Sequence, residues 1–311
     1  MSIHPSPRST GVGVALYVLL CVIWGSTWMV IKVGYGGLGP FNVAAIRFFI
    51  AGAVMAMVVQ LARARWPRGH VEWSLVVVVA LLMFAGDYGA IYWAEQFIDS
   101  GLTAILFATL PLLTIVAAHL YLPGERITIS KLAGTLLALA GVMALFGGHA
   151  SVEAAQVAPM AAVIGAAVCA AIASVASKRH GTHLHPAALN APSMMIGAVA
   201  LAALAAINGE RLALPPDAAT WAAVLYLALA GSVFAFLVYF SLLKTWTVTS
   251  LSFISVFTPV IALFLGFVFL DERPTIWTIV GATLIVGGVA LALFRTTVTR
   301  DDRLARESSS G

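Results

Sequence analysis

The chain has 311 residues, of which 61% are hydrophobic and only 10% are charged, and its formal net charge is +4. A soluble domain carries roughly 25% charged residues, so this composition excludes a soluble protein and indicates a chain that resides in a bilayer. The apolar runs reach the ~20 residues that a helical span needs. They lack the alternating pattern of a transmembrane barrel. We therefore expect an all-α multi-spanning membrane protein.

Ten membrane spans can be placed along the chain, with short connections and no segment long enough for a soluble domain. The predicted spans are 11–33, 41–62, 73–94, 100–121, 128–147, 157–178, 187–207, 218–242, 249–270 and 276–295. The tail from Arg295 is polar and basic, and we assign residues 299–311 to a cytoplasmic tail whose Ser-Ser-Ser-Gly end we expect to be foreign to the natural chain. The spans are numbered one to ten below.

The distribution of lysine and arginine predicts the orientation, because cytoplasmic loops carry an excess of both. With the N-terminus inside, the outer loops hold only Arg211 and Arg273. The inner segments hold Arg8, Arg63, Arg65, Arg68, Arg126, Lys131, Lys178, Arg179, Lys244, Arg295, Arg300, Arg303 and Arg306. We therefore predict that both termini are cytoplasmic.

The two halves of the chain repeat each other, with identical residues at offsets of 146 to 148 positions. The matched residues are Pro111 and Pro259, Glu125-Arg126 and Glu272-Arg273, Gly134 and Gly281, Gly141 and Gly288, Tyr92 and Tyr239, Lys32 and Lys178, and Pro40 and Pro186. We assign residues 1–149 to a first five-helix repeat and 150–298 to a second. Because five is odd, the second repeat enters the membrane upside down. Inverted repeats are typical of secondary transporters that work by alternating access.

Several of these motifs resemble a known family. They are Trp24-Gly25-Ser26, Lys32, Pro40, Arg47 and the segment with Pro111, Gly124-Glu125, Gly134 and Gly141. The pattern is similar to the EamA-type branch of the drug/metabolite transporter superfamily, and to its YddG-type ten-span exporters of amino acids and related metabolites. The resemblance implies a bundle with a central cavity between the halves. It also implies that spans five and ten brace the bundle and that transport is export.

Ionisable residues inside spans are costly and usually functional. Lys32, Arg47 and Asp87 lie in the outer third of the bilayer, so we expect one ion-paired cluster linking spans one to three. Asp87 has two functional interpretations, a proton-coupling carboxylate or a binding site for a substrate amino group. The structural alternative is a fixed Arg47–Asp87 ion pair. Lys178 is the counterpart of Lys32 in the second repeat.

Aromatic and hydroxyl side chains near mid-span are candidates for a cavity wall. Trp24 and Trp28 lie one turn apart on span one, and Tyr88 and Tyr92 lie one turn apart on span three. An interfacial aromatic belt is the alternative, above all for Tyr92. The predicted substrate-binding residues are Trp24, Ser26, Thr27, Trp28, Asp87, Tyr88, Tyr92, Phe107, Ser174, Phe234 and Ser255.

Proline and glycine suggest where helices bend and pack. Pro111 and Pro259 each remove a helical hydrogen bond in mid-span, so we predict matched kinks that act as gates, with static packing kinks as the alternative. Glycines recur every seven residues in spans five and ten, at Gly134, Gly141, Gly148, Gly281 and Gly288. Small residues on one face let helices approach closely. The sequence leaves open whether this contact lies within a monomer or between the subunits of a homodimer.

No cofactor or metal is predicted. His180, His183 and His185 cluster in one inner loop without a further ligand, so we interpret them as a solvated loop. The outer acids are spread over different loops and are interpreted as solvated caps; they are Glu95, Asp99, Glu153, Glu210, Asp217, Asp271 and Glu272. Nucleotide-binding and hydrolase motifs are absent from the sequence. Nucleic acid is not an expected partner.

The leading function is therefore a secondary transporter in the bacterial cytoplasmic membrane, not an enzyme. Its cargo would be a small amphipathic metabolite, such as an amino acid, including aromatic ones. A multidrug or organic-cation exporter is the alternative within transport. An integral membrane enzyme acting on lipid-linked substrates and a passive facilitator are the remaining alternatives.

Overall fold

A computed structural model describes residues 7–145, 156–261 and, apart from 278 and 282, residues 276–292. Gly148, the second Glu-Arg corner at Glu272-Arg273 and the tail 299–311 lie outside the described residues. Within those ranges the chain is helical. The helices are α1 (Pro7–Tyr35), α2 (Pro40–Leu61), α3 (Gly69–Val78), α4 (Tyr88–Ala94), α5 (Ser100–Phe107), α6 (Leu110–Tyr121), α7 (Ile129–Leu145), α8 (Val157–His180), α9 (Pro186–Ile207), α10 (Ala218–Ala228), α11 (Ala235–Thr245), α12 (Val248–Ser252), α13 (254–261) and α14 (Ile279–Ala292).

Within the described residues, seven helical stretches are long and apolar enough to cross a membrane. They are Gly11–Tyr35, Pro40–Leu61, Gly69–Ala94, Leu102–Tyr121, Val157–His180, Pro186–Ile207 and Ala218–Thr245. Shorter apolar helices occupy Ile129–Ala144, Val248–Ile261 and Ile279–Ala292, where spans five, nine and ten are predicted. The chain is thus a multi-span helical membrane protein. The count of ten spans, their inversion and the sides of the termini stay predictions.

Proline begins two helices that occupy equivalent positions in the repeat. Pro40 is the first residue of α2, and Pro186 is the first residue of α9. The first helical turn needs no backbone donor and favours the fixed φ of proline. The helices α2 and α9 then pack along each other, and the Met195 side chain lies against Gly52. The two repeats therefore meet along their second helices.

Two stretches of π-helix interrupt the long spans, at Val79–Asp87 between α3 and α4 and at Leu229–Phe234 between α10 and α11. A shift of 147 positions, the dominant offset of the repeat, carries 82–87 onto 229–234. A π-turn holds an extra residue, so it rotates the helix face that follows and is frequent at functional sites. Neither segment was predicted from the sequence.

The spans that contain Pro111 and Pro259 are both broken. Helix α5 ends at Phe107 and α6 begins at Leu110 with Pro111 in its first turn. In the second repeat α12 ends at Ser252, and the chain is helical again from residue 254. The Thr258 hydroxyl donates to the Ser255 carbonyl at 3.0 Å, which is the carbonyl that Pro259 leaves without a helical donor. A gating role for either break stays a prediction.

The repeated glycines join α7 to α14. A Cβ on Gly134 would lie 2.5 Å from the Gly288 carbonyl oxygen, and one on Gly141 would lie 2.7 Å from the Gly281 carbonyl oxygen. The Ser130 hydroxyl, at the start of α7, donates to the Leu291 carbonyl at 2.6 Å. Only glycine permits this backbone approach. This glycine face is therefore a contact between the two repeats of one chain.

The first Glu-Arg corner ties two elements together. Lys131 Nζ lies 3.3 Å from Glu125 Oε2, and the Thr249 hydroxyl donates to the same oxygen at 3.0 Å. Glu125 thus connects the start of α7 with the start of α12, on the face where the topology prediction places the cytoplasm.

Candidate functional site

A central cavity lies where α1, the first π-helical segment, α4, α8, α11 and the broken spans meet. Its volume is about 90 Å³, measured as space for the centres of water molecules. The side chains around it are Trp24, Thr27, Trp28, Ile31, Met83, Asp87, Tyr88, Ile91, Phe107, Leu110, Ala170, Ser174, Phe236, Tyr239, Leu251, Ser252, Ile254, Ser255 and Thr258. Of the predicted substrate-binding residues, the cavity brings together Trp24, Thr27, Trp28, Asp87, Tyr88, Phe107, Ser174 and Ser255.

Three predicted residues lie elsewhere. The Ser26 hydroxyl donates to the Ile23 carbonyl at 2.7 Å and lies 2.6 Å from the Tyr226 hydroxyl, on another face of α1. Tyr92 is fully buried behind the cavity. Phe234 is 39% exposed and ends the second π-helical segment. We predicted that these three residues line the cavity because of their positions along the spans. In the structure, the rotational position of each residue on its helix directs its side chain away from the cavity.

The cavity residues that the prediction missed are mostly on α11, α12 and α13. Phe236 and Tyr239 take the place expected for Phe234, because the π-turn before α11 rotates its face. A signal for Tyr239 existed, since it is the repeat counterpart of Tyr92. The aliphatic members, such as Met83, carried no signal that separates a cavity wall from ordinary packing.

Aromatic rings form one side of the cavity. The ring of Trp24 lies 5.5 Å from that of Phe236 and 5.6 Å from that of Tyr239, and Trp28 lies 5.7 Å from Phe107, measured between centroids. The edge-to-face geometry of such pairs contributes about 0.5–1.5 kcal/mol beyond area burial. The wall is therefore pre-formed, and it offers ring faces to an apolar or cationic group.

Hydroxyl groups also line the cavity, but their protons already form hydrogen bonds to backbone carbonyls. Ser252, Ser255 and Thr258 each donate to the carbonyl three residues earlier, at 2.7, 2.9 and 3.0 Å. Thr27 does the same towards the Trp24 carbonyl at 2.7 Å. The lone pairs of these oxygens remain, so the hydroxyls face the cavity as acceptors.

Two polar atoms in the cavity wall have no hydrogen-bond partner within the described part of the chain, Asp87 Oδ1 and Trp28 Nε1. Asp87 is 4% exposed and is the one charged side chain among the described lining residues. Leaving a buried donor or acceptor unpaired costs about 1–3 kcal/mol, and more for a charged group. The cavity thus presents one acidic acceptor and one neutral donor to whatever enters it.

The predicted ion pair between Arg47 and Asp87 is wrong. Arg47, fully buried on α2, donates to the Ser232 hydroxyl at 2.9 Å, the Tyr92 hydroxyl at 3.2 Å and the Gly231 carbonyl at 3.3 Å. Its guanidinium also lies 4.7 Å from the centre of the Tyr88 ring. The Arg47 side chain donates to the second π-helical segment and not to Asp87. The polar groups of that segment could not be recognised as its partners from the sequence.

The expected three-charge cluster is not formed either, because Lys32 points to the loop after α4. Its Nζ lies 3.6 Å from Asp99 Oδ1 and 3.5 Å from the Ile98 carbonyl oxygen. Its counterpart Lys178 donates to the Leu243 carbonyl at 2.7 Å and the Trp246 carbonyl at 2.9 Å. Both lysines therefore bind the chain just after the third span of their own repeat.

The loop histidines differ from a plain solvated loop. His183 Nε2 lies 2.8 Å from Glu72 Oε1, which ties this loop to the start of α3. His185 is the N-cap of α9, where its Nδ1 accepts from the Ala187 backbone N–H at 3.2 Å. Within the described residues no group of three or more His, Cys, Asp and Glu side chains is arranged to hold a metal ion.

A multi-span helical bundle with a pre-formed, aromatic-lined cavity at its centre is an arrangement found in membrane transporters, and the family match assigns the chain to that class. Residues 11–147 and 158–294 each match the model of the EamA-like transporter family. The chain belongs to this family, and it contains two copies of the family's repeat.

The chain is also similar over most of its length to individual proteins. It is 30% identical to the uncharacterized transporter YoaV of Bacillus subtilis, over 89% of this chain and 95% of that protein. It is 28% identical to a probable terminal-alkyne amino-acid exporter of Streptantibioticus cattleyicolor, over 90% and 92% respectively. The uncharacterized inner membrane transporter YedA of Escherichia coli is 29% identical, over 81% and 80%. One solved crystal structure superimposes with a TM-score of 0.76 at 25% identity, covering 91% of this chain and 97% of the other.

Proposed function

We propose that this protein is a secondary transporter that exports small amphipathic metabolites bearing an ammonium group, with amino acids, including aromatic ones, as the leading class. The observation that carries this proposal is the unpaired Asp87 Oδ1 in an otherwise uncharged, aromatic-lined cavity. A buried carboxylate without a partner is unfavourable until a donor or a cation meets it. A substrate ammonium group supplies both.

The remaining wall suits the rest of such a substrate. An aromatic or aliphatic side chain would pack on Trp24, Phe107 and Phe236, and a carboxylate oxygen would accept from Trp28 Nε1. The hydroxyl lone pairs of α12 and α13 offer further acceptors for N–H groups. The Streptantibioticus cattleyicolor relative is named as a probable terminal-alkyne amino-acid exporter, which supports the same substrate class and the direction of transport.

We further propose that the chain spans the bacterial cytoplasmic membrane ten times, with both termini inside, and that its two inverted repeats alternate around the cavity. The twofold family match supports two equivalent halves. So do the paired π-helical segments and the paired breaks near Pro111 and Pro259. The relative from Escherichia coli is named as an inner membrane transporter. The cavity lies within one chain, so a monomer is sufficient for transport, whether or not it forms a homodimer.

The test is transport by the purified full chain in proteoliposomes, with a radiolabelled panel of neutral, acidic and aromatic amino acids and of organic cations. We expect saturable uptake of neutral and aromatic amino acids, which Asp87→Asn reduces. The same panel is run with and without a pH gradient, because a secondary transporter responds to an ion gradient. Equilibration that is not saturable and not affected by any gradient would favour a facilitator and contradict the proposal.

The second candidate is an organic-cation exporter, and a specific observation favours it. Asp87 is the one charged side chain of the described lining, and no lysine or arginine faces it there to bind a substrate carboxylate. Aromatic faces also attract cations. Competition separates the two candidates: an amino acid, its methyl ester and the corresponding amine have the same ammonium group. If only the ester and the amine compete, the cation exporter is the correct class.

A further inference from the structure

Glu95 directly follows α4, at the end of the third span that the proposed topology places outside. Its sequence position predicted a solvated cap, and this prediction is wrong. Glu95 is only 4% exposed, and neither of its carboxylate oxygens has a hydrogen-bond partner within the described residues. An ionised carboxylate in such a place is unfavourable unless a cation or several donors reach it.

The groups around Glu95 include one cation and two phenols. Lys32 and Tyr35 at the end of α1, and Tyr92 on α4, lie close enough to Glu95 to interact with it electrostatically. The Tyr35 hydroxyl donates to the Tyr92 carbonyl at 2.8 Å, which closes α1 against α4. Burial raises the pKa of Glu95 to about 8, and the positive charge of Lys32 opposes that rise. Glu95 is therefore neutral at moderate pH in this conformation.

Two other charged groups border this region but are occupied. Glu210 accepts from the Phe41 and Asn42 backbone N–H groups at 3.3 and 2.9 Å, at the start of α2. Arg47 is directed to the second π-helical segment, and it reaches this side only through its bond to the Tyr92 hydroxyl. Lys32 remains as the cation that is free to move, because its present contacts are long and Asp99 is 98% exposed.

The equivalent place in the second repeat has no acid. A shift of 147 positions carries Glu95 onto Leu242, and Lys178 there binds backbone carbonyls that do not titrate. The two lysines are thus similar in position but different in chemistry. Glu125 is the acid close to Lys178, but it is already paired with Lys131 and Thr249. Among the described residues, the first repeat alone combines its lysine with a buried, unpaired carboxyl group.

We propose that Glu95 is a proton-binding site at the outer end of the transport path, and that its ionisation transfers Lys32 from the exposed Asp99 to Glu95. This inference rests on the proposed function for its meaning in transport, but the proton site itself can be tested without substrate. When Glu95 is protonated, it is buried as a neutral acid and Lys32 stays at Asp99. When the proton leaves to outer water, the carboxylate attracts the Lys32 ammonium and forms a buried ion pair between α1 and the end of α4.

Exchange of Lys32 between two acids changes how firmly the ends of α1 and α4 are held together. An ion pair with exposed Asp99 is screened by solvent and holds the two helices only weakly. A pair with buried Glu95 is less screened and holds the two helices more strongly. Proton binding from outside therefore loosens the outer closure, whereas the Lys178 contacts at the inner face do not respond to pH in this way. An inward proton gradient would then act on one side of the transporter.

The experiment is a pH titration of the purified full chain, without substrate, that follows the infrared C=O band of protonated carboxyl groups. We expect a band that disappears with a midpoint near pH 8, is lost in Glu95→Gln and is retained in Asp87→Asn. Lys32→Met should raise the midpoint by about one pH unit, because the stabilising cation is removed. Asp99→Asn should lower it by roughly half a unit, because Lys32 then has no competing carboxylate.

The shift in Asp99→Asn separates the proposal from a passive buried acid. If Lys32 does not exchange, removing the charge of exposed Asp99 leaves the midpoint where it is, and the exchange is overturned. If Glu95→Gln retains the band, Glu95 is not the proton site. Asp99→Asn changes a fully exposed side chain, so it keeps the test valid even where Glu95→Gln folds poorly.

A transport measurement then connects the site with function. The pH of the outer solution is varied at constant inner pH, and the uptake rate of whichever substrate the panel identifies is recorded. We expect wild-type rates to follow the infrared midpoint and Glu95→Gln rates to be flat. A titrating band with wild-type pH dependence retained in Glu95→Gln would overturn the role in coupling while leaving the proposed substrate class intact. Failure of the whole panel would instead count against the proposed function.

Discussion

Arg47 Nε on α2 donates a hydrogen bond of 2.9 Å to the Ser232 hydroxyl in the second π-helical segment. Ser232 in turn donates to the Leu227 carbonyl at 2.9 Å, five residues earlier. The Gly231 carbonyl accepts both from Arg47 at 3.3 Å and from the Trp24 indole N–H at 3.1 Å. The polar groups that the π-turn displaces are thus satisfied by α1 and α2. This arrangement joins the second repeat to the wall of the cavity.

Substitution of Arg47 should therefore destabilise the bundle. Arg47→Met removes the donor of the Ser232 and Tyr92 hydroxyls, whereas the Gly231 carbonyl keeps the Trp24 indole N–H. Each buried hydrogen bond from a charged group contributes about 1.5–3 kcal/mol. Arg47→Lys keeps the positive charge, but one ammonium group cannot donate to acceptors that lie in three directions. The lysine variant should therefore regain only part of the lost thermal stability. Thermal unfolding of the purified protein in detergent measures both changes.

The control for that comparison is Arg65→Met. Arg65 pairs with Glu72 at the surface, with 44% of its side chain exposed, and such pairs contribute about 0–1 kcal/mol. Arg65→Met should leave the unfolding temperature nearly unchanged. Equal losses in the two methionine variants would contradict the structural role assigned to Arg47.

Asp87→Asn should weaken substrate binding without preventing folding. The amide keeps the shape of the side chain but loses the charge, and a hydrogen bond to a charged group is worth about 1.5–3 kcal/mol. We expect the Kd of an ammonium substrate to rise about 10- to 100-fold. Equilibrium binding of the radiolabelled substrate to the purified protein measures this change.

Asp217→Asn is the matched control for Asp87→Asn. Asp217 caps α10 by accepting from the Thr220 backbone N–H at 2.8 Å, and these contacts lower its pKa. Asparagine is an equally good N-cap, and residue 217 does not line the cavity. An unchanged Kd is expected. If both variants bind like the wild type, Asp87 is not the ammonium site.

Alanine substitution should lower stability at one of two neighbouring glycines of α14 and leave it unchanged at the other. A Cβ on Gly288 would lie 2.5 Å from both the Gly134 carbonyl oxygen and the Ala138 backbone nitrogen. Backbone atoms cannot move aside, so Gly288→Ala should cost about 1–3 kcal/mol of stability by overpacking. Gly287 has nothing within 4 Å of its Cβ position, so Gly287→Ala should be neutral. The unfolding temperatures of both variants measure this difference. A Gly288→Ala variant as stable as the wild type would contradict the close α7–α14 contact.

His185 should make stability depend on pH. Burial, and then the nearby charge of Lys244, lower the pKa of this imidazole below its ordinary value of 6.5. The neutral ring accepts the α9 capping bond. The folded state therefore binds fewer protons than the unfolded state, so stability is complete above pH 6.5 and is lost as the pH falls through the folded-state pKa.

The measurement is the unfolding temperature between about pH 7.5 and about pH 5.5. His185→Asn retains a capping side chain without a titrating ring, so it should show a smaller decrease than the wild type. His185→Ala should show the same smaller decrease from a lower starting point, since the cap is lost. A wild-type slope in both variants would exclude His185 as the source.

Sequence patterns predicted the features that depend on composition and on repetition. In lipid, the backbone N–H and C=O groups of a long apolar run must be hydrogen-bonded within the chain, and an α-helix achieves this. The multi-span helical class was therefore recognisable from the sequence. The repeat predicted that α7 and α14 carry matching glycines, and the structure places these glycines against each other. The aromatic residues of span one were likewise predictable as cavity wall, because Trp24 lies at mid-span beside small polar residues.

The polar partners were not predictable, since they are contributed by distant parts of the chain. Arg47 and Ser232 are 185 residues apart, and neither segment carries a sequence pattern that identifies the other as its hydrogen-bond partner. The π-turns changed the helix phase by a residue, which exchanged Phe234 for Phe236 and Tyr239 in the wall. Glu95 follows the third predicted span, where an acid is expected to be solvated, but the packing of α1 against α4 buries it.

By itself, the sequence determined that the chain is a helical membrane protein of two related halves, because hydrophobicity and repetition are properties of the residues in order. The tertiary structure decided which polar side chains are paired and which are not. Within the described residues, Asp87 Oδ1 and both Glu95 oxygens lack a partner because helices from other parts of the chain bury them and Arg47 and Lys32 are directed elsewhere. Desolvation is a property of the folded neighbourhood, and a buried charge acquires its function from that neighbourhood.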